Sequence, residues 1–191
     1  MRLFVALDLP EEVHHHLRDL IARLTKQCPD ARWVRPEGMH ITLKFIGHVD
    51  PTKADAIRLA LQPVHSHAPV EMQVRGTGFF PNERRPRVVW CGVHANPNLA
   101  ELAAQIERSL EPLGIEPESR AFTPHLTLAR INEENVRRAE IEKLVEAAKE
   151  LETTSFGSAR ESEFYLYESI TKPSGAEYKR LQAYPFVKGS V

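Results

Sequence analysis

Residues 2–8, RLFVALD, form a short apolar run closed by Asp8 and Pro10, the pattern of a buried strand. Asp8 and Pro10 also mark a helix entry. Val13, Leu17, Leu20, Ile21 and Leu24 then recur at helical spacing until Pro29 stops the pattern. The segment 39–46, MHITLKFI, alternates in part and predicts a strand. A helix is predicted from about Thr52 to Val64, with Ile57 and Leu61 facing inward. Residues 69–80, PVEMQVRGTGFF, predict a strand with a glycine-marked irregularity, and the loop PNERRPR turns it into the strand VVWCGVH.

The second half repeats the alternation. Leu99, Leu102, Ile106, Leu110 and Leu113 make one stripe of a helix over 97–113. TPHLTLARI predicts another strand, of the same kind as MHITLKFI. A helix follows over about 133–151, opened by Asn132-Glu133-Glu134-Asn135, with Val136, Ile141, Leu144, Val145 and Ala148 inward. TTSFGSARESEFYLYESI and EYKRLQAYPFV close the chain as strands. Strands that pair locally, with helices between them, predict an α+β fold rather than regular βαβ units. We expect one domain over residues 1–191.

Composition narrows the function classes. The apolar fraction is 42% and the charged fraction 27%, as in an ordinary globular protein with a packed core. The formal net charge is −1, which argues against a protein that coats long nucleic acid and leaves room for a short or terminal one. Cys28 and Cys91 form neither a CxxC pair nor a zinc spacing and are expected to be small buried hydrophobes. No apolar stretch approaches the length needed to span a bilayer, and RLFVALDLP lacks a signal-peptide core, so the chain is expected in the cytoplasm, away from membranes.

The chemistry lies in an internal repeat. His40-Ile41-Thr42-Leu43 and His125-Leu126-Thr127-Leu128 are both H-φ-T-φ, where φ is aliphatic. On a strand, His and Thr two apart share one face while the aliphatics take the other. Each strand thus packs a core on one side and presents an imidazole beside a hydroxyl on the other. If the polar faces meet, two imidazoles and two hydroxyls surround one small site. A neutral histidine can take a proton from an attacking water while a protonated one gives a proton to a leaving oxygen. Threonine hydroxyls can donate to the non-bridging oxygens of a phosphodiester. H-x-T-x does not supply the His and carboxylate clusters of zinc or iron sites, so no metal and no cofactor is expected.

With these motifs the chain resembles the 2H phosphoesterase family. RLFVALDLP, RPRVVWCGV and LYESI…YKRL further resemble its bacterial and archaeal RNA 2′,3′-cyclic phosphodiesterases, also called 2′-5′ RNA ligases. The resemblance runs across nearly the whole chain. It implies two pseudo-symmetric lobes with antiparallel or mixed sheets flanking a central V-shaped cleft, helices outside. It implies hydrolysis of RNA 3′ ends bearing a 2′,3′-cyclic phosphate to a 2′-phosphomonoester, and reversible 2′-5′ ligation in which the cyclic end is joined to a 5′-hydroxyl. The family's roles fall on His40 as proton donor, His125 as proton acceptor, and Thr42 and Thr127 as phosphate binders. The motif pair is too symmetric for the sequence alone to assign donor and acceptor. Two other readings stay open: the same chemistry on 2′-5′ oligonucleotides or an ADP-ribose cyclic phosphate, and a non-catalytic RNA- or nucleotide-binding module. The protein is expected to be a monomer.

Other residues are weighed against this site. Arg130 is a candidate phosphate or base contact at the cleft rim, although five positions after His125 an ideal strand would turn it to the other face. Lys44, four after His40, is expected on that histidine's face, extending the positive field or simply solvated. Arg84, Arg85 and Arg87 crowd one loop and suit a flanking phosphate or an ordinary charged loop. Of Phe79 and Phe80, one is expected in the core and the other is available to stack on a base. His14, His15 and His16 are expected on the exposed side of the first helix.

Overall fold

The structure is a computed structural model that describes residues 1–172 and 175–186. Its strands are β1 (Arg2–Leu7), β2 (Arg32–Trp33), β3 (Ile41–His48), β4 (Val70–Phe80), β5 (Val88–Ala95), β6 (His125–Arg130), β7 (Ser155–Glu161), β8 (Glu163–Lys172) and β9 (Gly175–Pro185). Its helices are α1 (Glu11–Thr25), α2 (Pro51–Leu61), α3 (Pro97–Leu110) and α4 (Arg138–Lys149). The strands form two antiparallel sheets, ordered β3-β1-β8-β9 and β2-β6-β5-β4-β7. The α+β expectation holds. Val187, last residue of the expected closing strand, lies outside the described residues.

The helices exchange sheets. α1 follows β1 of the first sheet but packs on β7 of the second, beside α4, which packs on β4. α3 follows β5 of the second sheet but packs on β3 of the first, beside α2. One hydrophobic cluster therefore runs through both halves, from Leu7, Val13 and Leu17 to Ile57, Leu102 and Leu128. Side chains this deeply buried stabilise by about 1.5–3 kcal/mol each relative to exposure. Cys28 and Cys91 are free and buried, and burial pushes the Cys91 thiol up to about 12.

Both H-φ-T-φ strands carry a bulge at the same place. β1 and β3 pair Ala6 with Thr42 but Val5 with Lys44, so β3 has one extra residue there. β5 and β6 pair Trp90 with Thr127 but Val89 with Ala129, so β6 has one as well. Residues opposite each other on antiparallel strands share a face. In β3 the bulge sends both Leu43 and Lys44 inward and turns Phe45 outward; in β6 it sends Leu128 and Ala129 inward and turns Arg130 outward.

That bulge overturns the expectation for Lys44. Its side chain is 5% exposed and points away from His40's face. Nζ lies 2.7 Å from Glu107 Oε2 on α3 and 2.6 Å from the Glu116 carbonyl. A buried ammonium requires such partners, so Lys44 ties β3 to α3. The glycine-marked irregularity in β4 is a register shift between Val74 and Thr77, where Gly76 takes φ 74°. The segment from Asn132 does not start a helix. Asn132 instead closes a turn, accepting from the Glu134, Asn135 and Val136 amides, and α4 begins only at Arg138. The helix expected over 97–113 ends at Leu110 and continues as a 3₁₀ turn through Leu113. β2, two residues long, carries too little periodicity to be read in advance. No helix among the described residues is long and apolar enough to cross a membrane.

Candidate active site

Sheet one packs its helices on one face. The other face carries Phe4, Ala6, Tyr165 and Tyr167, a separate buried cluster. Thr42 stands on this open face, opposite Ala6. His40 precedes β3 and lays its ring against the same cluster. Its centroid is 4.5 Å from Tyr167, 5.4 Å from Tyr178 and 5.9 Å from Phe4. Gly38 makes room for this packing, since a Cβ there would sit 2.9 Å from Tyr178 Cε2. The turn Pro36–Gly38 is held from α1 by His14, whose Nδ1 is 2.8 Å from the Pro36 carbonyl. His15 and His16 are exposed as expected, although His16 Nδ1 also meets the Phe156 carbonyl.

His40 is 13% exposed, and its Nε2 is 3.8 Å from Asp8 Oδ1. Asp8 also accepts from the Tyr167 hydroxyl and the Arg180 guanidinium. Burial holds the His40 pKa below the ordinary imidazole value; the Asp8 carboxylate and the Gly38 backbone pull the other way and are outweighed. The Tyr167 hydroxyl is raised by burial and by the Asp8 carboxylate it faces.

On sheet two the open face carries the second motif. His125 lies opposite Gly92, Thr127 opposite Trp90, and Arg130 opposite Val88. The bulge thus brings Arg130 to the face of His125 and Thr127, against the expectation from ideal alternation. His125 Nδ1 is 2.8 Å from the Thr123 carbonyl. A carbonyl only accepts, so the neutral ring carries its proton on Nδ1 and leaves the Nε2 lone pair available. Phe80 meets the His125 ring edge-on at 5.1 Å, and Trp90 lies 5.3 Å from Phe80. Phe79 is the buried member of the phenylalanine pair. Arg84, Arg85 and Arg87 are exposed, and Asn82 Oδ1 caps the Arg84 and Arg85 amides.

The five residues singled out from the sequence all lie on faces turned away from the core, and β3 and β6 lie against each other. Asp8, Tyr167, Tyr178 and Arg180 were missed. Tyr167, Tyr178 and Arg180 signal themselves only by spacing of two, Tyr165 with Tyr167 and Tyr178 with Arg180, and Asp8 only as the polar end of a strand. Among the described residues no three His, Cys, Asp or Glu side chains are grouped to hold a metal ion.

A model of the LigT-like phosphoesterases matches residues 7–90 and 93–178, one H-φ-T-φ motif in each stretch. The chain belongs to this family, the 2H phosphoesterases. The phosphoesterase is 33% identical over 185 residues to a protein of Methanothermobacter thermautotrophicus named RNA 2′,3′-cyclic phosphodiesterase, covering 96% of this chain and 98% of that one. It is 32% identical over 192 residues to a protein of the same name from Thermotoga maritima, covering 100% and 98%. Its fold matches the crystal structure of TT0787 of Thermus thermophilus with a TM-score of 0.77 at 28% identity, over 97% of this chain and 98% of that one.

Proposed function

We propose that this phosphoesterase, working as one bilobal unit, hydrolyses the terminal 2′,3′-cyclic phosphate of RNA to a 2′-phosphomonoester without a metal ion. The observation that carries the proposal is the paired geometry: each half turns an imidazole and a hydroxyl outward from a strand whose aliphatics are locked in the core. The relatives named RNA 2′,3′-cyclic phosphodiesterase support the substrate class.

His125 is the proton acceptor. Its Nδ1 is engaged by the Thr123 carbonyl, which leaves Nε2 to take a proton from water. The water oxygen bonds to phosphorus as the bond from phosphorus to the 3′-oxygen breaks. His40 is the proton donor to that 3′-oxygen. Of the two histidines only His40 has a carboxylate within 4 Å among the described residues, and this carboxylate favours the imidazolium it needs. Burial makes that imidazolium a stronger acid than an exposed one. Thr42 and Thr127 donate to the non-bridging oxygens, and Arg130 contacts the substrate from the rim. The product keeps its phosphate on the 2′-oxygen. With the 5′-hydroxyl of a second RNA in place of water, the same bond changes give a 2′-5′ linkage.

The test is product analysis on a short RNA ending in 2′,3′-cyclic phosphate, incubated in EDTA. A 2′-phosphate is expected at an undiminished rate. A 3′-phosphate would assign the wrong leaving oxygen, and loss of turnover in EDTA would defeat the metal-free reading.

A further inference from the structure

Gly78, Trp90 and Thr127 form one row across β4, β5 and β6. Thr127 stands on the open face of sheet two, and residues opposite one another share a face, so Trp90 stands there too. Gly78 lets the indole lie over β4: a Cβ on Gly78 would collide with Trp90 Cζ2 and Cη2 and lie 2.7 Å from Cε2. Phe80 is two residues further along β4 and shares the face of Gly78, while Phe79 between them is buried in the core. The Phe80 ring meets Trp90 at 5.3 Å, tilted by 35°, and meets the His125 ring at 5.1 Å, crossed at 84°. Both are packing distances for aromatic rings. The ring that was expected to be available for a nucleobase is therefore engaged with the histidine.

His125 needs that contact. The torsion that turns an imidazole about its bond to Cβ is broad, so packing has to set the ring angle. The Thr123 carbonyl fixes one point of the ring, at Nδ1, and leaves the ring free to rock about that hydrogen bond. His40 is surrounded by Phe4, Tyr167 and Tyr178. Among the described residues His125 has Phe80 as its one aromatic neighbour. Rocking carries Nε2 away from the line to the attacking water, and a misplacement of about 1 Å can cost about a hundredfold in rate.

We propose that Phe80 is a positioning residue, braced by Trp90, that sets the angle at which His125 Nε2 meets the attacking water. This rests on the proposed function and adds to it the residue that aims its proton acceptor.

Single-turnover hydrolysis of a short RNA 2′,3′-cyclic phosphate tests it, with RNA affinity measured separately by fluorescence. Phe80→Leu removes the flat ring and keeps an apolar side chain. It should slow hydrolysis at saturating RNA by about tenfold to a hundredfold and leave affinity within about twofold. Phe80→Tyr, which restores the ring, should regain most of the rate. In the His125→Ala background Phe80→Leu should change nothing further, because the group it positions is gone. An unchanged rate in Phe80→Leu, a loss that persists in His125→Ala, or a loss expressed in affinity, as nucleobase stacking would give, overturns the proposal. If wild type does not turn over the cyclic phosphate, the proposed function fails, and the imidazole nitrogen resonances of His125 decide the positioning. Wild type should show one tautomer, protonated at Nδ1, and Phe80→Leu a mixture of two; identical spectra would overturn it.

Discussion

The Asp8 carboxylate sits where it influences the charge of His40. It is 3.8 Å from His40 Nε2 and is itself held by Tyr167 and Arg180. Asp8 raises the His40 pKa against the larger lowering effect of burial. Asp8→Asn keeps an acceptor for Tyr167 but removes the negative charge, so the His40 pKa must fall further. In a bell-shaped profile of kcat/KM against pH, one limb should move to lower pH while the other stays in place. Two unmoved limbs would show that Asp8 does not set the His40 charge. The placement of His40, Thr42, His125 and Thr127 was legible in the sequence because the motif repeats, and the structure turns all four away from the core. Asp8, Tyr167 and Arg180 were not, because they come from the turn after β1, from β8 and from β9 and meet only through strand order.

A single bulge, used twice, decides what each motif strand presents. Ideal alternation puts Lys44 beside His40 and turns Arg130 away from His125; the extra residue in each strand reverses both placements. Nothing in HITLKF or HLTLAR announces a bulge, which explains why Lys44 was expected on the wrong face and why Arg130 could be a rim candidate only against ideal alternation. Lys44 therefore belongs to stability. Lys44→Ala strands Glu107, which is 23% exposed, and frees the Glu116 carbonyl. The expected loss is about 2–3 kcal/mol, less than for a fully buried pair. Tm should drop by about 5–10 °C, with kcat/KM of the folded protein near wild type. A large fall in kcat/KM with Tm preserved would return Lys44 to the cleft.

The whole molecule joins its two sheets through exchanged helices and one continuous core, and acidic groups gather where the sheets meet. Glu161 ends β7 of one sheet, Glu163 begins β8 of the other, and Asp8 follows β1. Burial first, then Asp8 and Glu163, push the Glu161 carboxyl up to about 7 from 4.5. The native state therefore keeps a proton that the unfolded chain has already lost, and stability falls as pH rises from 4.5 to about 7. Glu161→Gln removes that loss. Its Tm advantage over wild type should be greater at about pH 8 than at about pH 5. Equal advantages at both values would show that Glu161 titrates normally. The alternation of strands and helices made the α+β class legible, but the exchange of α1 and α3 between sheets was not. It depends on which sheet each helix packs against, and a helical stripe carries no such address.

The measurement that bears most directly on the site is single-turnover hydrolysis of a short RNA 2′,3′-cyclic phosphate by wild type, His40→Ala, His125→Ala and the double variant. Each single variant should lose on the order of 10²–10⁴ in rate. The double variant should lose far less than the product of the two, because the histidines act in one step. A single variant within a few-fold of wild type, or fully multiplicative losses, would contradict paired proton transfer by His40 and His125.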